Sequence, residues 1–215
     1  MNFKQLTLDS FDTGMIFNTH TDSQKCRFQH LKYCMSLANQ PGHILEFGVY
    51  QGATINLISE YFIDDTIYGF DSFEGLPEDW HLSETHKKFR KGTFAVDSLP
   101  NVNNNVRLIK GWFDVSLPKF ISSTHIKTIK LLHIDCDLYS STKTVLTLLD
   151  NYIVTGTIIV FDEMFHWGNE NKSNTIYKNW HEGEFMALKE WMQNYNREIE
   201  IVSRNNYMQC CVRVL

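Results

Sequence analysis

Hydrophobic positions along the chain form short apolar runs that alternate with segments in which apolar residues recur at helical spacing. Residues 21–39 have helical spacing, and Pro41 with Gly42 would end that helix. Residues 43–50 then form an apolar run that ends in a glycine turn, and residues 53–61 return to helical spacing. The order strand, turn, helix is typical of the first half of a β-α-β unit.

The same alternation continues toward the C-terminus. Further strands are predicted at residues 66–70, 106–110, 130–136 and 157–162. Residues 142–152 have helical spacing and predict a crossover helix between parallel strands. After another helix at residues 182–195, the apolar segments 199–203 and 207–214 flank a short polar turn, which predicts an antiparallel hairpin.

These elements predict an α/β fold with a single doubly wound, Rossmann-like domain over residues 1–215, in which residues 1–40 form an N-terminal helical cap. The sheet is expected to be mostly parallel and seven-stranded, with the antiparallel hairpin at its C-terminal edge. Open sheets of this kind bind ligands beyond the carboxyl ends of their strands, so the candidate chemistry should lie there.

Composition narrows the function classes. The net charge of −5, without long blocks of either sign, argues against a surface that binds a phosphate backbone. The basic stretch at residues 87–91 is interpreted as a solvated loop. Five cysteines without C-x-x-C spacing indicate reduced, buried thiols. Without a leader pattern or a long apolar run, we expect a soluble cytoplasmic protein that binds neither nucleic acid nor a membrane.

The turn after the first predicted strand contains Glu46, Gly48 and Gly52. A dinucleotide fingerprint would place glycines where Glu46 and Gln51 stand, and a carboxylate there would repel a pyrophosphate. S-adenosylmethionine carries no phosphate and presents a sulfonium, so it tolerates an acid in this turn. Asp71 ends the second strand, where a carboxylate can accept the ribose hydroxyls. In the alternative interpretation, Glu46 and Asp71 only cap the turns that follow them.

A second group of acids follows the later strands. Asp135 ends one predicted strand, and Asp162 with Glu163 ends the next, so three carboxylates should meet at one edge of the sheet. Unpaired carboxylates this close repel one another by several kcal/mol, which favours a bound cation. A site with only oxygen ligands selects a hard divalent cation, and Mg²⁺ is our first choice. Asp137 fits metal binding and capping of the next helix equally well.

If S-adenosylmethionine binds here, transfer of its methyl group to an alcohol would require a positioned acceptor oxygen and a base for the alcohol proton. Asp135 is the first candidate for that base, and His133 and His166 are alternatives. His133 lies in an apolar strand, where a histidine is more often a hydrogen-bonded core residue.

Four motifs carry a family resemblance: residues 69–77 (GFDSFEGLP), 91–94 (KGTF), 110–113 (KGWF) and 135–142 (DCDLYSST). With them, residues 44–163 resemble the macrocin O-methyltransferase family, which methylates sugar hydroxyls of natural products. The resemblance implies a methyltransferase domain that uses S-adenosylmethionine as methyl donor. It assigns the metal to the positions of Asp135, Asp162 and Glu163, the last of which is commonly aspartate in the family. It implies a donor pocket lined by Glu46, Gly48, Gly52, Asp71, Ser72 and Phe73, with Gly111 and Trp112 near the adenine.

The expected acceptor is a small molecule with a free hydroxyl, carried by a sugar, and a homodimer is the default assembly. Trp167, Trp180 and His181 are candidates for a roof over its pocket. Three other functions stay open: a metal-independent methyltransferase, a dinucleotide-binding oxidoreductase, which Glu46 disfavours, and a non-catalytic subunit that retains only the fold.

Overall fold

The computed structural model describes residues 1–17, 22–83, 88–165 and 177–215. Its strands are β1 (Met15–Phe17), β2 (His43–Phe47), β3 (Ile67–Asp71), β4 (Trp80–His81), β5 (Lys88–Phe89), β6 (Val106–Lys110), β7 (Ile129–Ile134), β8 (Ile158–Phe161), β9 (Ile199–Asn205) and β10 (Cys210–Val214). Its α-helices are α1 (Ser23–Leu37), α2 (Ala53–Tyr61), α3 (Phe113–Ser123), α4 (Tyr139–Leu149) and α5 (Glu184–Asn194).

Within the described residues, the main sheet has eight strands in the order β1-β9-β10-β8-β7-β2-β3-β6. Strands β6, β3, β2, β7 and β8 are parallel to one another, and β10 lies antiparallel between β8 and β9. The predicted α/β class, the mostly parallel sheet and the C-terminal antiparallel hairpin are therefore confirmed. The short strands β4 and β5 form a separate antiparallel pair.

Both faces of the sheet are covered, which is why the central strands are mostly apolar. Every residue of β7 is buried, and alternate side chains enter opposite cores. Leu131 packs in the core beneath α1 and α2, whereas Leu132 packs in the core beneath α3, α4 and α5. This two-sided burial leaves the strand ends as the place where polar side chains can gather.

Three details differ from the sequence prediction. The eighth strand, β1, pairs in parallel with β9 and is too short for its period to be visible in the sequence. Helix α3 was not predicted, because Pro118 within it reads as a break. Residues 1–40 contain β1 and α1, and α1 packs on α2, β8 and β9, so this segment contributes to the sheet and to one helical layer.

Among the described helices, none combines the length and apolar character needed to cross a bilayer. The five cysteines are buried free thiols, as their spacing predicted.

Candidate active site

A cavity of about 1220 Å³ opens at the carboxyl ends of the parallel strands. Backbone hydrogen bonds hold these strand ends side by side. The N–H of Gly48 donates to the carbonyl of Phe70 at 2.9 Å, and the N–H of Asp135 donates to the carbonyl of Phe47 at 2.9 Å. The loops after β2, β3 and β7 therefore meet at the cavity wall.

Asp71 forms hydrogen bonds to both the loop after β2 and the loop after β3. Its Oδ2 accepts from the backbone N–H groups of Val49 and Tyr50, both at 2.8 Å, and its Oδ1 accepts from the N–H of Phe73 at 2.7 Å. A carboxylate offers about four acceptor positions, so three of them already hold the turn after β2 and the turn after β3. The Asp71 side chain also lines the cavity, with room for about one more donor.

The predicted donor-site residues divide into two groups. Gly48, Asp71, Ser72 and Trp112 line the cavity. Residues that lie outside this lining are Glu46, Gly52, Phe73 and Gly111.

Glu46 is fully buried, and both of its oxygens have protein partners. Oε1 accepts from Thr54 Oγ1 at 2.9 Å, and Oε2 lies 3.2 Å from His133 Nδ1. Burial raises the pKa of Glu46, and the hydrogen bond with His133 opposes that shift. The structure therefore places Glu46 behind the cavity wall, an arrangement that does not support the predicted contact with the donor.

His133 continues the same buried chain of polar groups. Its Nε2 lies 3.1 Å from Asp162 Oδ1, and its side chain is fully buried between Glu46 and Asp162. His133 does not reach the cavity surface, so this arrangement does not support it as the base. His166, the other histidine candidate, lies outside the described residues.

The predicted metal ligands are close together, in two overlapping groups. Ligand atoms of Asp135, Asp137 and Glu163 lie within 4.8 Å of one another, and so do those of His133, Asp135 and Asp162. Asp135, Asp137 and Glu163 line the cavity, whereas Asp162 is fully buried behind it. Asp137 does not cap α4, because the N-cap of that helix is Leu138 and no side chain caps it. The capping interpretation of Asp137 is wrong.

Burial and the repulsion of neighbouring acids raise the pKa of two acids in this cluster, Glu163 and Asp137. For Glu163 the causes are first burial and then the charges of Asp135 and Asp137. For Asp137 they are burial and Asp135. Oε2 of Glu163 is buried and has no hydrogen-bond partner among the described residues. An unpartnered carboxylate oxygen is costly in a protein interior, and a cation would compensate it.

Arg27 of α1 is the cation nearest to these acids in the described part of the chain. Its guanidinium contacts Asp162 Oδ2 as an ion pair without hydrogen-bond geometry, and lies 3.5 Å from Asp135 Oδ2 and 4.0 Å from Glu163 Oε1. Burial alone would lower the pKa of Arg27, but Asp135 and Glu163 raise it above its usual value. Nothing local in the sequence marked Arg27, because only the packing of α1 brings it to the strand ends.

A buried carboxylate supports the cluster from behind. Glu184, at the start of α5, accepts the backbone N–H of Glu163 at 3.1 Å and a backbone hydrogen bond from Cys136. It thereby connects the loop after β7 with the loop after β8. Burial raises the pKa of Glu184 well above its usual value. The sequence analysis missed Glu184, since a glutamate at the start of a helix normally has no role beyond the helix itself.

Four aromatic residues form part of the cavity wall: Trp80, Phe89, Phe94 and Tyr177. Trp80 and Phe89 stack across the β4–β5 pair at 5.4 Å, Phe94 lies 5.3 Å from Phe89, and Tyr177 meets Trp80 edge-on at 5.4 Å. The basic stretch at residues 87–91 was interpreted as a solvated loop, but Lys88, Phe89 and Lys91 line the cavity. All three are exposed, so the stretch is solvated as interpreted, although Lys88 and Phe89 belong to β5 and not to a loop.

Two of the residues predicted to cover the acceptor pocket, Trp180 and His181, do not line the cavity. Trp180 packs against Phe185 at 4.9 Å and is not a lining residue, and His181 is exposed. Trp167 lies outside the described residues. The aromatic wall is instead built by residues around β4 and β5, and Trp80 in that hairpin gave no periodic signal in the sequence.

The family model for macrocin-O-methyltransferase (TylF) matches residues 10–187. The chain belongs to the macrocin O-methyltransferase family. The match covers well over half of the 215 residues and includes the cavity-lining loops after β2, β3 and β7. The family resemblance noted from four motifs is confirmed.

Two curated O-methyltransferases are similar to this chain in sequence. Demethyldecarbamoylnovobiocin O-methyltransferase of Streptomyces niveus is 28% identical over 168 residues, which are 68% of this chain. The 8-demethyl-8-(2,3-dimethoxy-α-L-rhamnosyl)-tetracenomycin-C 4'-O-methyltransferase of Streptomyces olivaceus is 26% identical over 166 residues, which are 67% of this chain. The matched segments span 63% and 62% of those two proteins, less than two thirds of their length.

Several solved structures share the fold of this chain. Calicheamicin methyltransferase CalS11 has a TM-score of 0.68 at 21% identity, covering 88% of this chain and 79% of CalS11. The O-methyltransferase NovP has a TM-score of 0.60 at 20% identity, covering 87% of this chain and 78% of NovP. MycE, from mycinamycin biosynthesis and solved with Mg and S-adenosylhomocysteine, has a TM-score of 0.52 at 14% identity, covering 86% of this chain and 49% of MycE.

Proposed function

We propose that this chain, acting as one domain, is an S-adenosylmethionine-dependent O-methyltransferase that methylates a sugar hydroxyl of a small molecule with the help of a divalent metal ion. One observation carries the proposal: a single cavity joins the Gly48–Asp71 turn to the acids after β7 and β8. Its volume of about 1220 Å³ exceeds that of a typical site for one ligand, so it can hold a donor and an acceptor together.

The donor is proposed to bind at the ends of β2, β3 and β6. Gly48 allows close approach of the backbone there, since its φ of +90° lies in the left-handed region. Asp71 keeps about one free acceptor position, which suits one ribose hydroxyl. Trp112, half-buried at the start of α3, provides a ring for an adenine. The nearby acids favour a ligand that carries a sulfonium rather than a pyrophosphate.

The proposed metal ligands are Asp135, Asp162 and Glu163, with Asp137 as an additional carboxylate at the cavity surface. This all-oxygen set suits Mg²⁺, and the buried, unpartnered Oε2 of Glu163 supports cation binding at this position. A bound divalent cation supplies positive charge that lowers the pKa of an acceptor hydroxyl. Asp135 is the proposed base, because its carboxylate is 25% exposed on the cavity wall, where an acceptor proton can reach it.

The acceptor is proposed to bind between the acids and the aromatic wall of Trp80, Phe89 and Phe94. Flat aromatic surfaces suit the apolar faces of a sugar ring or of an attached aglycone. The curated relatives support a sugar-bearing natural product, since one of their names describes methylation of a rhamnosyl tetracenomycin.

Calorimetric titration with S-adenosylhomocysteine and, separately, with NAD⁺ tests the donor site. The proposal expects binding of S-adenosylhomocysteine alone, and binding of NAD⁺ alone would overturn it.

Transfer of a labelled methyl group from S-adenosylmethionine is then measured on a panel of glycosides and nucleotide-linked deoxysugars, with EDTA or with Mg²⁺. Loss of transfer in EDTA and recovery with Mg²⁺ is expected, whereas full activity in EDTA would favour the metal-independent alternative.

A further inference from the structure

The acidic cluster of Asp135, Asp162 and Glu163 has a positively charged side chain of the protein beside it, that of Arg27. Arg27 contacts Asp162 and lies 3.5 Å from Asp135 and 4.0 Å from Glu163, so it reaches all three proposed metal ligands. It comes from α1, which is remote in sequence from β7 and β8. Oε2 of Glu163 has no partner in the described structure even with Arg27 in place. The arginine therefore neutralises the cluster incompletely.

The two carboxylate oxygens of Asp162 have different partners, and only the contact of Oδ2 with Arg27 can be released without moving buried residues. Its Oδ1 has His133 at 3.1 Å and Gln209 Nε2 at 2.5 Å, and both of these partners are buried. Its Oδ2 has only the Arg27 contact among the described residues, without hydrogen-bond geometry. Release of Arg27 would free Oδ2 while Oδ1 stays held. The Arg27 side chain is 33% exposed and lines the cavity, so it has space into which to withdraw.

We propose that Arg27 and a divalent cation are alternative occupants of the acidic cluster, so that Arg27 must leave Asp162 before the carboxylates can bind the metal. This inference rests on the proposed function, because it assumes the same three ligands. A guanidinium has donors and no acceptor, so it cannot itself be a ligand, and it occupies the carboxylate oxygens that the metal requires. The guanidinium of Arg27 would also strongly repel a metal ion bound to the same carboxylates.

The test is a titration of the metal-free full-length protein with Mn²⁺, followed by electron paramagnetic resonance and without donor or acceptor. Arg27→Met removes the charge and keeps an apolar stem. We expect it to tighten Mn²⁺ binding by about tenfold or more. Arg213→Met is the matched control, since Arg213 is 35% exposed and pairs with Glu200 at 2.7 Å. The control should bind Mn²⁺ within about twofold of the parent.

The Mn²⁺ dependence of the Tm difference between variant and parent provides a second readout, one that a purely structural role would not change. In EDTA, Arg27→Met should lower the Tm, because the carboxylates lose their counter-ion. Saturating Mn²⁺ should remove most of that difference, because the metal supplies the missing charge. If Arg27 only packs α1 against the sheet, the Tm falls equally with and without Mn²⁺, and the inference is overturned.

Arg27→Gln covers the case in which the methionine variant does not fold, since glutamine can still donate to Asp162, and the same tightening is expected. Unchanged or weaker Mn²⁺ binding in a folded Arg27 variant would overturn the proposed exchange of Arg27 for the metal. It would not contradict the proposed metal site itself. Absence of Mn²⁺ binding in the parent and in all variants would instead overturn the metal part of the proposed function, and the exchange with it.

Discussion

Gly48 lies directly against Asp135: a Cβ built on the glycine would be 1.8 Å from the carbonyl oxygen of the aspartate. The loop proposed to bind the donor and the loop proposed to bind the metal are therefore in backbone contact. No side chain fits between them, and the φ of +90° at Gly48 is itself unfavourable for other residues. Donor and metal geometry are consequently coupled through this contact.

Gly48→Ala should weaken binding of S-adenosylhomocysteine by about tenfold or more and should destabilise the fold by about 1–3 kcal/mol, because the two loops must separate. Gly92→Ala is the control, since Gly92 has a similar φ of +82° but no heavy atom within 4 Å of a built Cβ in the described structure. Calorimetry and thermal unfolding measure both effects. Equal losses in the two variants would show that backbone strain, and not the contact with Asp135, is responsible.

Asp71→Asn should loosen the loops after β2 and β3. An amide has one acceptor oxygen and a donor group, so it cannot accept all three backbone N–H groups that Asp71 binds. We expect a loss of about 1–3 kcal/mol in stability and at least about tenfold weaker binding of S-adenosylhomocysteine. Asp79→Asn serves as control, because Asp79 also accepts a backbone N–H, that of Lys91, and lies next to β4. Unchanged donor affinity in Asp71→Asn would contradict the proposed donor site.

His133→Asn tests whether His133 positions other groups or acts as the base. Its removal leaves Glu46 and Asp162, both fully buried, without a shared partner, so the free energy of unfolding should fall by about 3–5 kcal/mol. The pH profile of kcat/KM in the folded variant should keep the limb that the base produces. Loss of that limb, with a fall of about 100-fold or more in kcat, would return His133 to the role of base.

Glu184 and Glu163 should each make the metal-free protein less stable as the pH rises. Burial raises the pKa of Glu184 well above its ordinary value of 4.5, and burial and neighbouring acids do the same for Glu163. Above pH 4.5 the folded state thus holds protons that the unfolded state has released, so stability is lost as pH rises through the raised pKa values. Unfolding experiments in EDTA between about pH 5 and about pH 8 measure the slope of the free energy of unfolding against pH.

Glu184→Gln should flatten this slope, because one proton-binding group is removed while an acceptor for the N–H of Glu163 is kept. Glu182→Gln is the control, since Glu182 is exposed beside the same helix. A slope that is identical in Glu184→Gln and in the parent would exclude Glu184 as a source of the pH dependence.

The extent of sequence prediction differs between the fold and the site. Runs such as residues 130–136 are largely apolar because both faces of the sheet are covered, so the strands and the mostly parallel direction of the sheet could be predicted from local pattern and chain topology. Glycines and acids at strand ends are also local signals, and they pointed to Gly48, Asp71, Asp135 and Glu163. Helix α3 escaped prediction because Pro118 lies within it, although a favourable environment on the sheet maintains the helix.

The sequence alone determined the α/β class, the crevice at the strand ends and the family, since these depend on periodicity and on short motifs that each strand carries by itself. Only the tertiary structure decided which acids face the cavity and what neutralises them. Asp135 and Glu163 reach its surface, Asp162 lies behind it, and Arg27 arrives from a helix more than a hundred residues away. Charge interactions depend on distance in space and on burial, and neither quantity is encoded in the local order of residues.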